Sequence, residues 1–193
     1  MAGAVSLEKR MIAVPSAGPR QLEGRFAEIY RSNLSYVWHS LRRLSAPAPD
    51  LEDLTQEVFV RVLRALPDYD PDRPFRPWIF SLVLHTVLDF RKQRARKSIV
   101  QLDSELQARL QSTTDRPDEA LEKEQHRGLV LRALADLNLK KRAVFVMVEL
   151  NGHSVPEAAE ALKLPLNTAY SRLRLARADF TEAIRRQASE EPR

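Results

Sequence analysis

The chain has 193 residues, 44% of them hydrophobic, enough for one or two small domains whose cores are built from several short apolar stripes. It contains no cysteine, which excludes disulfides, thiolate metal sites and a cysteine nucleophile. A net charge of +5 favours acidic partners, nucleic acid first. Only five glycines and scarce strand-like alternation point to mostly α structure. Glu8, Lys9 and Arg10 interrupt the stretch where a signal peptide needs an unbroken apolar core. The most apolar run, Trp78 to Phe90, carries Ser81, His85 and Asp89 and is too short to cross a bilayer. A cytoplasmic protein with no direct membrane insertion is expected.

Residues 1–20 carry Ala, Gly, Pro and Ser without periodicity and read as a loose tail. A first helix is expected from Phe26, with Phe26, Tyr30, Leu34, Val37, Leu41 and Leu44 as one stripe, ending before Pro47 and Pro49. Asp50 is placed to cap a second helix, Leu51 to Leu66. Its inner stripe reads Leu51, Leu54, Val58 and Val62, widened by Phe59, Leu63 and Leu66. Glu52, Asp53, Gln56, Glu57, Arg61 and Arg64 lie outside, acids first and bases last, as the helix dipole prefers. Pro67 to Pro74 is a turn-rich loop with three Asp. A third helix then starts near Phe75, with Ile79, Leu82, Val83, Thr86 and Phe90 inward. It runs on into Arg91, Lys92, Arg94, Arg96 and Lys97, which suits either a nucleic-acid surface or a solvated helix end.

From Ser98 to about Pro117 no stripe persists, and the segment reads as a linker, with room for one short helix around Leu102 to Leu110. Leu121, Gln125, Leu129, Arg132 and Leu134 to Leu137 then mark a long helix. Lys140 to Leu150 gives another, with Val144, Met147 and Val148 buried and Asn151-Gly152 ending it. Ser154 and Glu157 have capping-box spacing, and Pro165 stops the helix they open. The next helix has Ala169, Leu173, Ala176 and Phe180 on one face. Asn167, Ser171 and Arg174 lie about half a turn away, with Tyr170 beside them. Amide, hydroxyl and guanidinium groups are the types that meet base edges and phosphates. Small Ala158, Ala159 and Ala161 let the two helices cross closely. The pattern is a helix-turn-helix whose second helix reads DNA, set against the plainer alternative of a two-helix corner with solvated arginines.

Three segments, in order, resemble bacterial sigma factors. Glu52-Asp53-Leu54-Thr55-Gln56-Glu57-Val58-Phe59 resembles their DLxQEVF segment. Phe75 to Asp89 resembles the FRxWLxRIARNxxxD segment that follows it. Leu137 to Arg177 resembles LPxxxRxVFxL…G.S..EIAEAL…GTVKSRLxRAR of their last region. There is no room for the middle region of larger sigma factors, so the resemblance is to the two-domain extracytoplasmic-function class of the sigma-70 family. It covers roughly residues 22 to 187. Departures are Val83, Leu84 and His85 where the family has Ala-Arg-Asn, Asn167 to Tyr170 where it has Gly-Thr-Val-Lys, and Lys163-Leu164 where its turn has Gly.

The resemblance implies an all-α chain of two helical domains: region 2 over 21–97 and region 4 over 118–187, joined by a flexible linker over 98–117, with tails at 1–20 and 188–193. It implies that Asp53, Gln56 and Glu57 dock on core RNA polymerase. Trp78, His85, Arg91, Lys92, Arg94 and Arg96 would hold the promoter's melted −10 element, and the acidic loop would shape its pocket. Asn167, Thr168, Tyr170, Ser171 and Arg174 would read the −35 element, with Arg172 and Arg177 on phosphates. Core polymerase, promoter DNA and an anti-sigma protein are the partners so implied, and no cofactor or metal. A linker of roughly 20 residues spans at most ~65–70 Å, and two duplex turns are about 70 Å.

Two other functions fit less of the chain. A regulator that binds an operator alone would explain residues 119 to 187 but leave the Asp53-Gln56-Glu57 face and basic 91 to 97 without a role. An enzyme is disfavoured because His39, His85, His126 and His153 lie scattered, with no HExxH and no phosphate-binding loop.

Overall fold

The computed structural model describes residues 19–100 and 119–190, and among these the regular elements are all helical. The tail to residue 18 and the short helix expected around Leu102 to Leu110 lie outside the described residues.

Helix α1 spans Pro19–Arg43 and starts seven residues before the expected Phe26, with proline in the first turn, where its missing N–H costs nothing. Its buried line is Ile29, Asn33, Val37, Ser40 and Leu41, continued by Leu44 in the turn just past its end, and the expected Phe26, Tyr30 and Leu34 flank it half-buried. Asn33 is tolerated there because its side-chain amide donates to the Ile29 carbonyl at 2.9 Å. Helix α2 spans Leu51–Ala65, preceded by a 3-10 turn, Ala48–Asp50. The expected Asp50 cap does not form, because Asp50 itself already has helical dihedrals as the last residue of that turn. Leu63, expected inward, is 49% exposed. Phe59, one turn earlier, is covered by the rings of Tyr30 and Phe26 at 4.5 and 6.4 Å. A second 3-10 turn, Leu66–Asp68, leads into the loop before α3, Phe75–Val100. Ile79, Phe80, Val83 and Val87 of α3 close a three-helix bundle with α1 and α2.

The second unit begins with α4, Glu119–Asp136. Asn138 caps α5, Leu139–Phe145, by accepting from the Lys140 amide at 2.9 Å. The single helix expected from Lys140 to Leu150 instead widens into a π turn over Val146–Leu150, closed by the Asn151 amide on the Val146 carbonyl at 2.9 Å. The expected Val148 is half-buried, whereas Val144, Val146 and Met147 are fully buried. Gly152 takes a φ of +74° to turn the chain out, a conformation open to glycine at little cost. Helices α6, Val155–Ala161, and α7, Leu166–Glu190, complete the unit, with α4, α5 and α6 all packed on α7.

The two units share one continuous core cluster and a polar seam. Asn151 accepts from Arg43 at 2.6 Å and donates to Tyr36 Oη at 3.2 Å, and His153 Nε2 lies 3.2 Å from the same hydroxyl. Arg142, 2% exposed, donates to Ser45 Oγ at 2.5 Å and to the Ala135 and Leu137 carbonyls at 2.7 Å. Burial lowers its pKa to about 10, which still leaves it charged at neutral pH. Arg73, in the loop before α3, lies 3.4 Å from Glu160 of α6.

Candidate nucleic-acid and polymerase interfaces

The helix-turn-helix is α6, the turn and α7. Ser154 and Glu157 form the expected capping box: Ser154 Oγ accepts from the Glu157 amide and Glu157 Oε2 accepts from the Ser154 amide at 2.7 Å. Desolvation is the largest single influence and pushes the Glu157 carboxyl up, but the Ser154 amide and hydroxyl that donate to it, with His153, together leave it below its ordinary range. The turn ends α6 in a Schellman motif: the Leu164 amide reaches the Ala159 carbonyl at 2.8 Å and the Lys163 amide reaches Glu160 at 3.1 Å. Lys163 sits at φ 52°, in the left-handed conformation that glycine adopts more cheaply.

In α7, Ala169, Leu173 and Ala176 are 0%, 3% and 0% exposed and face the unit's core. Asn167, Tyr170, Ser171 and Arg174 are exposed on the opposite side, while Thr168 and Arg172 are half-buried at its edge. Arg177 is exposed but engaged: its Nε and Nη2 donate to Glu149 Oε1 at 2.8 and 2.6 Å. Nothing in the spacing signalled this partner, because Glu149 enters from the π turn.

The aromatic end of α3 packs on the loop before it. Trp78 is half-buried, with its ring 4.6 Å from Tyr69 and 5.3 Å from Phe75. The Tyr69 hydroxyl donates to the Arg73 carbonyl, and the Asp72 amide donates to Asp70 Oδ1, so the loop's own acids and rings hold its shape. His85 is exposed one side further along. The basic end divides. Arg91 is half-buried and donates to the Leu44 carbonyl at 3.1 Å, which ties α3 to the end of α1. Lys92 lies 4.0 Å from Asp89 and Arg94 lies 3.8 Å from Asp50, both well exposed; Arg96 and Lys97 are exposed.

On α2, Asp53, Gln56 and Glu57 are exposed along one face. The face continues into Val60, 39% exposed, and Leu63, 49% exposed, two large aliphatics that helical spacing had assigned to no partner or to the core. Arg61 is steered along this edge by Glu57 at 3.0 Å and Asp89 at 2.9 Å. Two exposed aliphatics bordered by polar and acidic side chains make an apolar patch with a polar rim.

Comparison with known proteins bears on all three surfaces. The Sigma-70 region 2 family model matches residues 29–97, and the Sigma-70, region 4 model matches residues 127–180. The RNA polymerase sigma factor CnrH of Cupriavidus metallidurans is 29% identical over 180 residues, 91% of this chain and 93% of the relative. The RNA polymerase sigma factor NccH of Alcaligenes xylosoxydans xylosoxydans is 27% identical over 160 residues, covering 82% and 86%. The ECF RNA polymerase sigma-E factor of Escherichia coli is 24% identical over 137 residues, covering 68% and 72%. Among solved structures, CnrH in complex with the cytosolic domain of CnrY matches with a TM-score of 0.62 at 24% identity, over 97% of this chain and 98% of that one. The sigma factor RpoE in complex with the anti-sigma factor NepR from Bartonella quintana matches with a TM-score of 0.63 at 18% identity, over 82% and 98%. With both regions matched in order over more than half of its length, the chain belongs to the sigma-70 family of RNA polymerase sigma factors, in its extracytoplasmic-function class.

Proposed function

We propose that the chain directs promoter-specific transcription initiation as a subunit of RNA polymerase, docking on the core enzyme through the α2 face and reading two promoter elements with its two units. Asp53, Gln56 and Glu57 hold the core enzyme, with Val60 and Leu63 as the apolar centre of that contact. Trp78, His85, Arg94, Arg96 and Lys92 line the −10 strand, while Arg91 positions α3 from within. Asn167, Thr168, Tyr170, Ser171, Arg172 and Arg174 face the −35 duplex, and Arg177 meets phosphate from the pose Glu149 gives it. The observation that carries this reading is the phase of α7 in a chain that also holds region 2: its buried Ala169-Leu173-Ala176 line leaves the polar set outward. The phosphodiester chemistry belongs to the polymerase. Two similar structures are complexes with a second protein, the cytosolic domain of CnrY and the anti-sigma factor NepR, and an anti-sigma protein is a partner of the same class for this chain. No helix among the described residues is long and apolar enough to cross a membrane, which accords with action in the cytoplasm on polymerase.

Run-off transcription with core polymerase, with and without the chain, tests the proposal. Transcripts from a selected promoter only in its presence are expected. Specific duplex binding by the chain alone, with no transcript when core is added, would favour a stand-alone regulator instead.

A further inference from the structure

Large apolar side chains left in water are few among the described residues. Val60 and Leu63 belong to the α2 face, and the others, Leu166, Tyr170 and Leu175, all stand on α7. Leu166 opens that helix, and the Ala169 amide donates to the Pro165 carbonyl at 3.1 Å, which fixes the backbone of the first turn. Leu162 and Leu164, just before it, pack against the core, whereas Leu166 stays 45% exposed. Tyr170, one turn on, is 51% exposed. Side chains four apart on a helix are neighbours, with Cβ atoms about 5–6 Å apart, so the two make one apolar strip. Asn167, Ser171 and Arg174 border that strip, all exposed, and Arg177 continues it two turns beyond Tyr170. Leu175 lies about half a turn round the helix from Leu166 and is outside the strip.

We infer that Leu166 and Tyr170 select thymine methyl groups in the −35 duplex, so that the element this chain prefers carries two thymines at most two base-pair steps apart. The inference rests on the function proposed above and names the bases its second unit takes. A helix-turn-helix brings the N-terminal part of its second helix nearest the base edges. The groups that base pairs present in the major groove are hydrogen-bond donors and acceptors, with the thymine C5-methyl as the apolar projection among them. The Leu166 side chain has no hydrogen-bonding group. Against a base edge it gains by covering a methyl, and it loses by covering a carbonyl or amino group that it strips of water. Tyr170 offers an apolar ring with a polar tip, which keeps its hydroxyl at the wet margin of the groove. Base pairs rise about 3.4 Å along the duplex, so contacts about 5–6 Å apart span no more than two steps. The surroundings favour DNA over a protein as the occupant, because amide, hydroxyl and guanidinium side chains suited to bases and phosphates border the strip.

The full chain, alone and assembled with core polymerase, is offered a randomised −35 library. Binding to the selected duplex is then measured with thymines replaced by deoxyuridine, which removes only the methyl. Paired thymines are expected in the selected sequences. Deoxyuridine should weaken binding roughly fourfold at one position and roughly fifteenfold at both, from the transfer free energy of a buried methyl. Leu166→Ala/Tyr170→Ala should bind the thymine and deoxyuridine duplexes alike, because the groups that distinguished them are gone. Its salt dependence should match that of the natural chain, since no charge is lost. In a duplex with cytosine at those positions, 5-methylcytosine should recover part of the affinity of the natural chain and none in the variant. The inference is overturned if the natural chain is indifferent to deoxyuridine, a comparison that needs no variant to fold. It is also overturned if the variant keeps the same thymine preference, which would assign that preference to another side chain or to duplex shape. Methyl-dependent binding without transcription would count against the polymerase reading and leave this inference standing. Transcription with no methyl dependence would do the reverse.

Discussion

Two residues of the helix-turn-helix carry separate expectations, one for stability and one for reading. Lys163 occupies a left-handed position with φ 52° that costs a residue with a Cβ about 1–2 kcal/mol. Part of that gain is offset by the greater freedom of glycine in the unfolded chain. Lys163→Gly should therefore stabilise the fold by about 0.5–1 kcal/mol, read as a higher midpoint in thermal unfolding. A lower midpoint would mean the lysine side chain contributes more than its backbone costs. Arg174 is exposed and in phase with Asn167 and Ser171, long enough to meet a guanine edge bidentately, which discriminates by about 1–3 kcal/mol. Arg174→Ala should relax preference at one −35 position and leave −10 preference alone. Arg177→Ala should weaken binding evenly, and more than loss of one phosphate contact alone, because it also leaves the Glu149 carboxylate uncompensated beside the duplex. A randomised −35 library selected by each variant separates the two, and identical uniform losses would refute the assigned phase. The Ser154–Glu157 capping box could be read from the sequence because it acts within four residues, whereas Asp50, equally well placed by sequence, makes no cap because the preceding 3-10 turn gives it helical dihedrals. The roles of Arg91 and Arg177 could not be read from it, since their partners, Leu44 and Glu149, are set by tertiary packing.

Among the elements, α2 shows how far helical spacing reaches and where it stops. Leu51, Leu54, Val58, Phe59 and Val62 are buried as their spacing requires. Leu63 fits the same periodicity but is 49% exposed, because spacing sets which side of the helix a residue is on and not how far the neighbouring helices reach round it, whereas Phe59 meets the rings of Phe26 and Tyr30. The widened winding of Val146–Leu150 is likewise not legible: its apolar spacing resembles that of an α-helix, and the Asn151 amide that reaches the Val146 carbonyl leaves no mark in that spacing. Two exposed aliphatics beyond an acidic row predict a two-part contact with polymerase. Reversal of Asp53 and Glu57 to lysine should weaken co-purification with core enzyme with little change in thermal stability, since both are exposed. Val60→Ser/Leu63→Ser should weaken it as well, and with less dependence on salt, because an apolar contact is not screened. If the serine variant co-purifies at the natural level, the aliphatic pair is outside the contact.

At the level of the whole molecule, the seam between the units conflicts with the task of reading two elements at once. The Arg73–Glu160 pair, 3.4 Å apart, sets the loop before α3 in the first unit against the first helix of the helix-turn-helix in the second. Promoter elements two duplex turns apart are separated by about 70 Å, so the units must part when both are engaged. What opposes parting is a small polar network, each hydrogen bond contributing about 0.5–1.5 kcal/mol net, together with the apolar contacts of the shared core. Asn151 is its centre, bonded to Arg43 and Tyr36 and lying 3.4 Å from Ser40. The chain has no cysteine, so dyes placed through Arg64→Cys and Glu182→Cys report the separation cleanly. Energy transfer between them should fall and its distribution broaden in Asn151→Ala, while core binding is retained. Acid should act in the same direction. The His153 imidazole is held below its ordinary value of 6.5 first by desolvation and also by Arg76, with Glu157 opposing, and it faces Tyr36 across the seam. A depressed folded-state pKa favours the neutral ring, so its stabilisation is complete above 6.5 and is lost as pH falls through the lower folded value. His153→Gln, which keeps a polar group and cannot titrate there, should flatten the pH dependence of energy transfer; an equally steep profile in that variant would place the titrating group elsewhere, with His39 the next to test.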